Sequence, residues 1–250
     1  MPAFEVSPFD LPFEEAIDFF RSKGIEIAAE SWKDVWAAAN ARAFTVARVT
    51  QMDVLTDVLQ AVDAALSEGM SLGEFKASLR PMLERKGWFA PSGEPSVVEM
   101  PDGSLRKRLT PWRVENIYRT NLQSSYSVGR YMQMEEVAVM RPFWQYKAIL
   151  DSRTRPTHAA MANKVYDHRH PIWDRWYPPN GFACRCYVKT LSLTQMEARG
   201  LKAETAGVQD DPDEGWAYNV GKEGLDAWQP DLSKYPERLA RQFKAEQQNA

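Results

Sequence analysis

The chain has 250 residues, of which 44% are hydrophobic and 26% charged, with a formal net charge of −3. That balance excludes a disordered polymer and suits one or two folded domains with a real core. No apolar run approaches the roughly 18 residues of a membrane span, and MPAFEVSPFDLPFEE has neither a basic nor an apolar leader region, so no membrane partner and no secretory signal are expected.

The first hundred residues read as helical. Phe13, Ile17 and Phe20 recur at helical spacing over Phe13–Lys23, and Gly24 is the stop. Ser31, with Asp34 three residues on, caps a second helix whose stripe is Trp32, Val35, Trp36 and Ala39. A longer helix holds Met52, Leu55, Val58, Leu59, Val62 and Leu66 and ends at Gly69. Ser71 and Glu74 form the capping box of the next, which Pro81 is expected to kink or break. These stripes form a core or a surface for partner helices, and none has catalytic spacing. The stretch APSGEPSVVEMPDG, from Ala90 to Gly103, is a linker or an exposed hairpin, and a domain boundary is expected beside it.

Thr110 caps another helix with Pro111 at its first position, running to about Val139. Gly129 inside it weakens the helix, and a close helix or strand contact would explain its presence. Pro142–Leu150 alternates as a strand, Asp151–Pro156 turns, and His158–Ala162 forms a short helix. Lys164–Ala183 reads mostly as loop, stiffened by Pro171, Pro178 and Pro179 and packed down by Trp173, Trp176, Tyr177 and Phe182. Base stacking is the functional alternative for those aromatics. Cys186–Thr190 is a short strand, and the acidic tail holds one amphipathic stretch, Pro236–Phe243.

The fold class that follows is α+β and predominantly helical. Residues 1–104 form a helical region, 105–192 a small mixed module with short strands and a long ordered loop, and 193–250 an acidic polar extension. Between Leu105 and Lys189 stand fifteen Lys or Arg against six Asp or Glu, a balance of +9 that leaves −12 for the rest. Such a centre can pair with its own flanks or hold double-stranded DNA through Arg106, Lys107, Arg108, Arg153, Arg155 and Arg185.

The two cysteines, Cys184 and Cys186, form a C-x-C pair and no disulfide framework, as expected of a protein made in a reducing cytoplasm. With His158 they can supply two thiolates and an imidazole to zinc, with Asp151, His168 or His170 as fourth ligand. The alternative is two small packed cysteines and a histidine hydrogen-bonded in a turn. Asp151, Arg153 and Arg155 at a strand end can hold a phosphate or a metal-bound water, or simply build an Asp-turn with paired arginines. No nucleophile elbow, phosphate loop, metalloprotease helix or dinucleotide fingerprint appears.

One ordered string of motifs goes further. It comprises Thr120-Asn121-Leu122, Tyr126, Gly129-Arg130, Arg141-Pro142, Trp144, Tyr146 and Ala148, then Asp151–Pro156 with His158-Ala159-Ala160. Pro171, Trp173-Asp174, Tyr177-Pro178-Pro179-Asn180-Gly181 and Cys184-Arg185-Cys186 with Val188 follow, and Gly215–Asn219 with Gly221 is a downstream echo. Together they resemble the phage Mu protein F-like family. Asn163 stands where the family pattern has Gly, which a left-handed backbone tolerates, and Val220 stands where it has Pro. The resemblance implies a head-morphogenesis protein, a minor capsid component of virion or procapsid associated with the portal, capsid or scaffold proteins or packaged DNA. It implies no catalytic activity. A metal-dependent hydrolase, such as a nuclease using His158 and Asp151 near zinc, is the alternative.

Overall fold

The computed structural model describes residues 13–25, 43, 44, 46, 49 and 51–227. The expected helix capped by Ser31 and the amphipathic stretch Pro236–Phe243 lie outside them. The fold is α+β and helix-rich, with small sheets, as the sequence predicted.

Helix α1 spans Glu14–Ser22, and two-residue strands β1 (Gly24–Ile25) and β2 (Ala43–Phe44) pair in parallel. Helix α2 covers Met52–Ser67, and Gly69 follows it with φ of 68°. Helix α3 covers Leu72–Arg85, opened by the Ser71–Glu74 capping box, with both reciprocal hydrogen bonds formed. It corrects the expectation of a break at Pro81. The proline removes one backbone donor, but Phe75, Leu79 and Leu83 are buried on one face either side of it and hold the helix to Arg85. Strands β3 (Val97–Glu99) and β4 (Leu105–Lys107) are antiparallel around a turn closed by the Met100 N–H donating to the Ser104 carbonyl, so the turn-rich stretch is a hairpin.

Helix α4, Pro111–Glu136, is capped by the Thr110 hydroxyl, which accepts from the Arg113 N–H. It belongs to two hydrophobic cores. Its Val114 and Leu122 join α1, α2 and α3 in an aliphatic core of Ile17, Val54, Leu55, Val58, Val62, Leu79 and their neighbours. Its Val128, Tyr131 and Met134 join a second core of Trp144, Tyr146, Tyr166, Trp173, Trp176 and Tyr177. Gly129 explains itself here: a Cβ would stand 2.9 Å from the Phe13 ring and 3.0 Å from the Ala16 nitrogen, so its absence lets α1 lie close against α4.

The second core sits under a three-stranded antiparallel sheet. Strand β5 (Phe143–Lys147) is central, flanked by β6 (Val165–Asp167) and β7 (Tyr187–Leu191). Helix α5 (Pro156–Met161) and the single-turn α6 (Trp173–Trp176) fill the connections. Lys164–Ala183 is mostly loop, as expected, with β6 and the single-turn α6 set into it. The three-residue β6 is too short to show alternation, and hydrogen bonding to β5 creates it. Beyond β7 come α7 (Leu193–Ala198), with a Ser192–Gln195 capping box, and α8 (Val220–Ala227). The segment between them folds back: the Glu204 N–H donates to the Val165 carbonyl, and Val208 and Tyr218 pack against the second core.

Candidate functional site

The strongest convergence of chemistry-bearing side chains lies where α5 meets the approach to β7. Pro156 at the first helical position starts α5, which places His158 inward. Cys184 and Cys186 arrive from the other side, after the Pro178-Pro179-Asn180-Gly181 segment. All three are buried, at 1%, 5% and 4% exposure. His158 Nδ1 lies 3.7 Å from Cys184 Sγ and 3.6 Å from Cys186 Sγ. The Cys186 N–H donates to Cys184 Sγ at 3.4 Å, and Ala183, just before the pair, holds a left-handed φ of 55°.

Aromatic and amide groups form the walls. The Trp176 ring meets His158 edge-on at 5.9 Å and Tyr146 at 6.0 Å. Tyr146 donates its hydroxyl to Asn180 Oδ1 at 2.9 Å, and Asn180 is fully buried. Burial pushes the Tyr146 hydroxyl far above its ordinary range, so it serves as a donor. The Cys186 thiol hydrogen bond pulls Cys184 down to about 4 against the opposing effect of burial, with His158 adding to the pull. Cys186 moves the other way, raised by that same bond and by burial. The two thiols therefore titrate as a coupled pair.

One contributor had no visible signal. Asp213 comes from the acidic run Asp210-Asp211-Pro212-Asp213, which reads as a solvated stretch. Its Oδ1 stands 3.7 Å from His158 Nε2, a buried atom without a hydrogen-bond partner among the described residues. Arg155 holds the carboxylate by an ion pair of 2.7 Å and donates to the Phe182 carbonyl at 2.9 Å. Gly181 makes room, since a Cβ there would clash with the Asp213 carboxylate. The string residues Asn180 and Gly181 were the only sequence clue to this wall.

The expected fourth ligands do not join the cluster. Asp151 accepts two hydrogen bonds from Arg185, at 2.8 and 2.5 Å, and one from the Arg153 N–H, which hold its carboxyl far below the usual range. His168 Nδ1 stands 3.3 Å from the Pro142 carbonyl oxygen, and His170 Nδ1 accepts from the Ile172 N–H. Among the described residues, His158, Cys184 and Cys186 are the one group of His, Cys, Asp or Glu with metal-ligand spacing. Trp173, Trp176 and Tyr177 are core, as the packing reading has it, and Phe182 packs edge-on against Trp216 at 5.1 Å.

The basic residues are split between two places. Arg153 and Arg185 face Asp151, and Arg155 faces Asp213. On the hairpin side Arg108 pairs with Glu94, the Arg106 guanidinium lies over the Trp88 ring at 5.2 Å, and Lys107 ends β4.

Comparison with known proteins identifies what shares this pattern. The model of the family described as "Phage Mu protein F like protein" matches residues 56–189. "Putative capsid assembly protein F" of Escherichia phage Mu is 37% identical over 84% of this chain and 54% of its own length. "Mu-like prophage FluMu F protein" of Haemophilus influenzae is 38% identical over 70% of this chain and 41% of its own. The chain thus spans about half the length of the curated relatives it matches. No solved structure matches it.

Proposed function

The chain belongs to the phage Mu protein F-like family, and on that premise we propose that it is a head-morphogenesis protein, a minor component of procapsid or virion. The observation that carries this reading is the family match from α2 through β7, joined to relatives one of which is named for capsid assembly. Its proposed partners are the portal and the capsid or scaffold proteins. The surface suits assembly: Val139 and Met140 after α4, and Ile149 and Leu150 after β5, are large apolar side chains left in solvent. Among the described residues no helix is long and apolar enough to cross a membrane.

Mass spectrometry of procapsids and virions purified from phage-producing cells tests the reading. The chain should be present in heads and co-purify with the portal. Its absence from both particles would sink the proposal. The hydrolase alternative gains no support from the site, because Asp151 is held by Arg185 and the imidazole faces two cysteines beneath Trp176.

Double-stranded DNA is a further proposed partner. Arg106 and Lys107, on β4, are the hairpin groups proposed to meet phosphate, Arg106 with its guanidinium over the Trp88 ring. Binding should be independent of sequence and fall steeply with salt as counterions are released. Binding that ignores salt, or none at low salt, removes DNA from the partners.

A further inference from the structure

We propose that His158 Nδ1, Cys184 Sγ and Cys186 Sγ bind one borderline-soft divalent cation, zinc in the cell, with Asp213 as the carboxylate that orients the imidazole through Nε2. Neither the family match nor the names of the relatives assigns a metal to this chain.

Geometry carries the proposal. With bonds of about 2.3 Å to sulfur and about 2.1 Å to nitrogen at tetrahedral angles, nitrogen and sulfur ligands of one zinc lie about 3.6 Å apart. The two observed separations are 3.6 and 3.7 Å. The donor set, two thiols and an imidazole, is the set that zinc selects over calcium or magnesium. The second coordination sphere is also in place. The Cys186 N–H points at Cys184 Sγ, as a backbone donor does toward a ligating thiolate. Ala183 holds a conformation uncommon for a residue with a Cβ, at the point where the chain must turn Cys184 inward.

His158 supplies the independent observation. Its Nε2 is buried and lacks a hydrogen-bond partner among the described residues, although Asp213 stands 3.7 Å away. A metal on Nδ1 fixes the proton on Nε2 and directs it at that carboxylate, the arrangement by which ligating histidines are held in orientation. Arg155 and the missing side chain at Gly181 fix Asp213 in turn. No fourth His, Cys, Asp or Glu joins among the described residues, so His158, Cys184 and Cys186 are the ligands proposed here. The cation ties α5 to the approach of β7, closing the connection between His158 and Cys184, 26 positions apart, and its binding energy becomes folding energy.

The test uses the full chain, purified reduced and without chelator. Elemental analysis should find about one zinc per chain. Cobalt(II) titration of the stripped protein should give a sulfur-to-cobalt charge-transfer band and the visible absorption of a tetrahedral site. Cys186→Ser should weaken the band and His158→Ala should shift it. Asp213→Asn should lower metal affinity about 10–100-fold. Arg155→Gln breaks the same ion pair from the other side but leaves the carboxylate, and should keep affinity within a few-fold. A purely structural role for Asp213 would instead make the last two variants alike in affinity. The wild-type titration does not depend on any variant folding. Little zinc together with no charge-transfer band on the reduced wild-type chain overturns the proposal and leaves head assembly untouched.

Discussion

The two cores that share α4 are built on opposite principles. The first is mainly aliphatic and packs α1, α2 and α3 through Leu and Val side chains at helical spacing, with Phe20 and Phe75 among them. The second is aromatic, with four tryptophans and tyrosines at 0% exposure around a sheet of only three short strands. The polar interior differs in the same sense. Gln145, His158, Asn180 and Asn219 are buried in the second half, whereas Lys23 is the buried charge of the helical half. Where regular helices supply backbone hydrogen bonds, side chains need only be apolar. Where connections are irregular, side chains must also satisfy backbone carbonyls. Trp173 donates to Asp167, Trp176 to Asp210 and Tyr177 to Ser127. Large amphipathic rings do both tasks at once.

The largest expected effect separates the two cores directly. Trp176→Ala should cost about 3–5 kcal/mol and Leu79→Ala about 2–5 kcal/mol in denaturant unfolding. Their local consequences should differ. Trp176 packs edge-on against His158, which in turn contacts both cysteines, so its loss should make Cys184 and Cys186 react with a thiol reagent under native conditions. Leu79→Ala should leave them protected at low denaturant. Equal exposure in both variants would mean that the cores open as one unit through α4.

Legibility in the sequence follows the same division. The stripes of α1 and α2 and the caps at Ser71 and Thr110 repeat a local pattern, so they could be read directly. The strands β5 and β7 and the helix bearing His158 were legible too, as was the meeting of His158 with the C-x-C pair. Strand β6, α6, and the return of residues 201–219 were not. Their stability comes from partners distant in sequence, and Asp213 in an acidic run carries no periodic mark. Ser192, with Gln195 three residues on, did mark α7, but its six residues were lost in a polar stretch. The fourth-ligand expectation failed for a related reason: Asp151, His168 and His170 are near in sequence but turned to other partners.

Lys23 sharpens the contrast from the helical side. Burial lowers its ammonium from 10.5 to about 8, while the Phe19 ring at 4.7 Å offers a partial cation–π offset. A lysine with a depressed folded pKa destabilises the fold while it is charged in both states, below about 8. Stability from this group should therefore rise with pH between about 8 and 10.5. Lys23→Met should stabilise at pH 7 by up to about 3 kcal/mol, and the gain should shrink at pH 10. Equal gains at both values would locate the effect in packing instead of charge.

Glycine substitutions probe the seam between the halves. Gly129→Ala should destabilise by about 1–2 kcal/mol, because overpacking against Phe13 and Ala16 exceeds the helix-propensity gain of about 1 kcal/mol. Gly73→Ala, exposed near the start of α3 with only the Ser71 hydroxyl at 3.8 Å, should stabilise by up to about 1 kcal/mol. Thermal melts of the two variants should move in opposite directions. A stabilising Gly129→Ala would show that α1 can withdraw from α4 at no cost.

The smallest effect is expected at Asn163. The residue adopts φ of 69°, its N–H donates to the Tyr146 carbonyl at 2.8 Å, and it links α5 to β6. The turn is required by the second core's architecture, because the chain must reverse within a few residues to bring β6 beside β5. Gly relieves the crowding that a Cβ meets in this region. Against that, Asn163→Gly loses the exposed hydrogen bond from Lys147 and gains unfolded-state freedom. The opposing contributions should leave stability within about 0.5 kcal/mol of wild type. Asn163→Val has no such compensation, since a β-branched side chain in the left-handed region costs about 1–2 kcal/mol. Urea unfolding of both variants reads the difference. A valine variant as stable as the glycine one would mean that the backbone here can leave the left-handed region without disturbing the β5–β6 pairing.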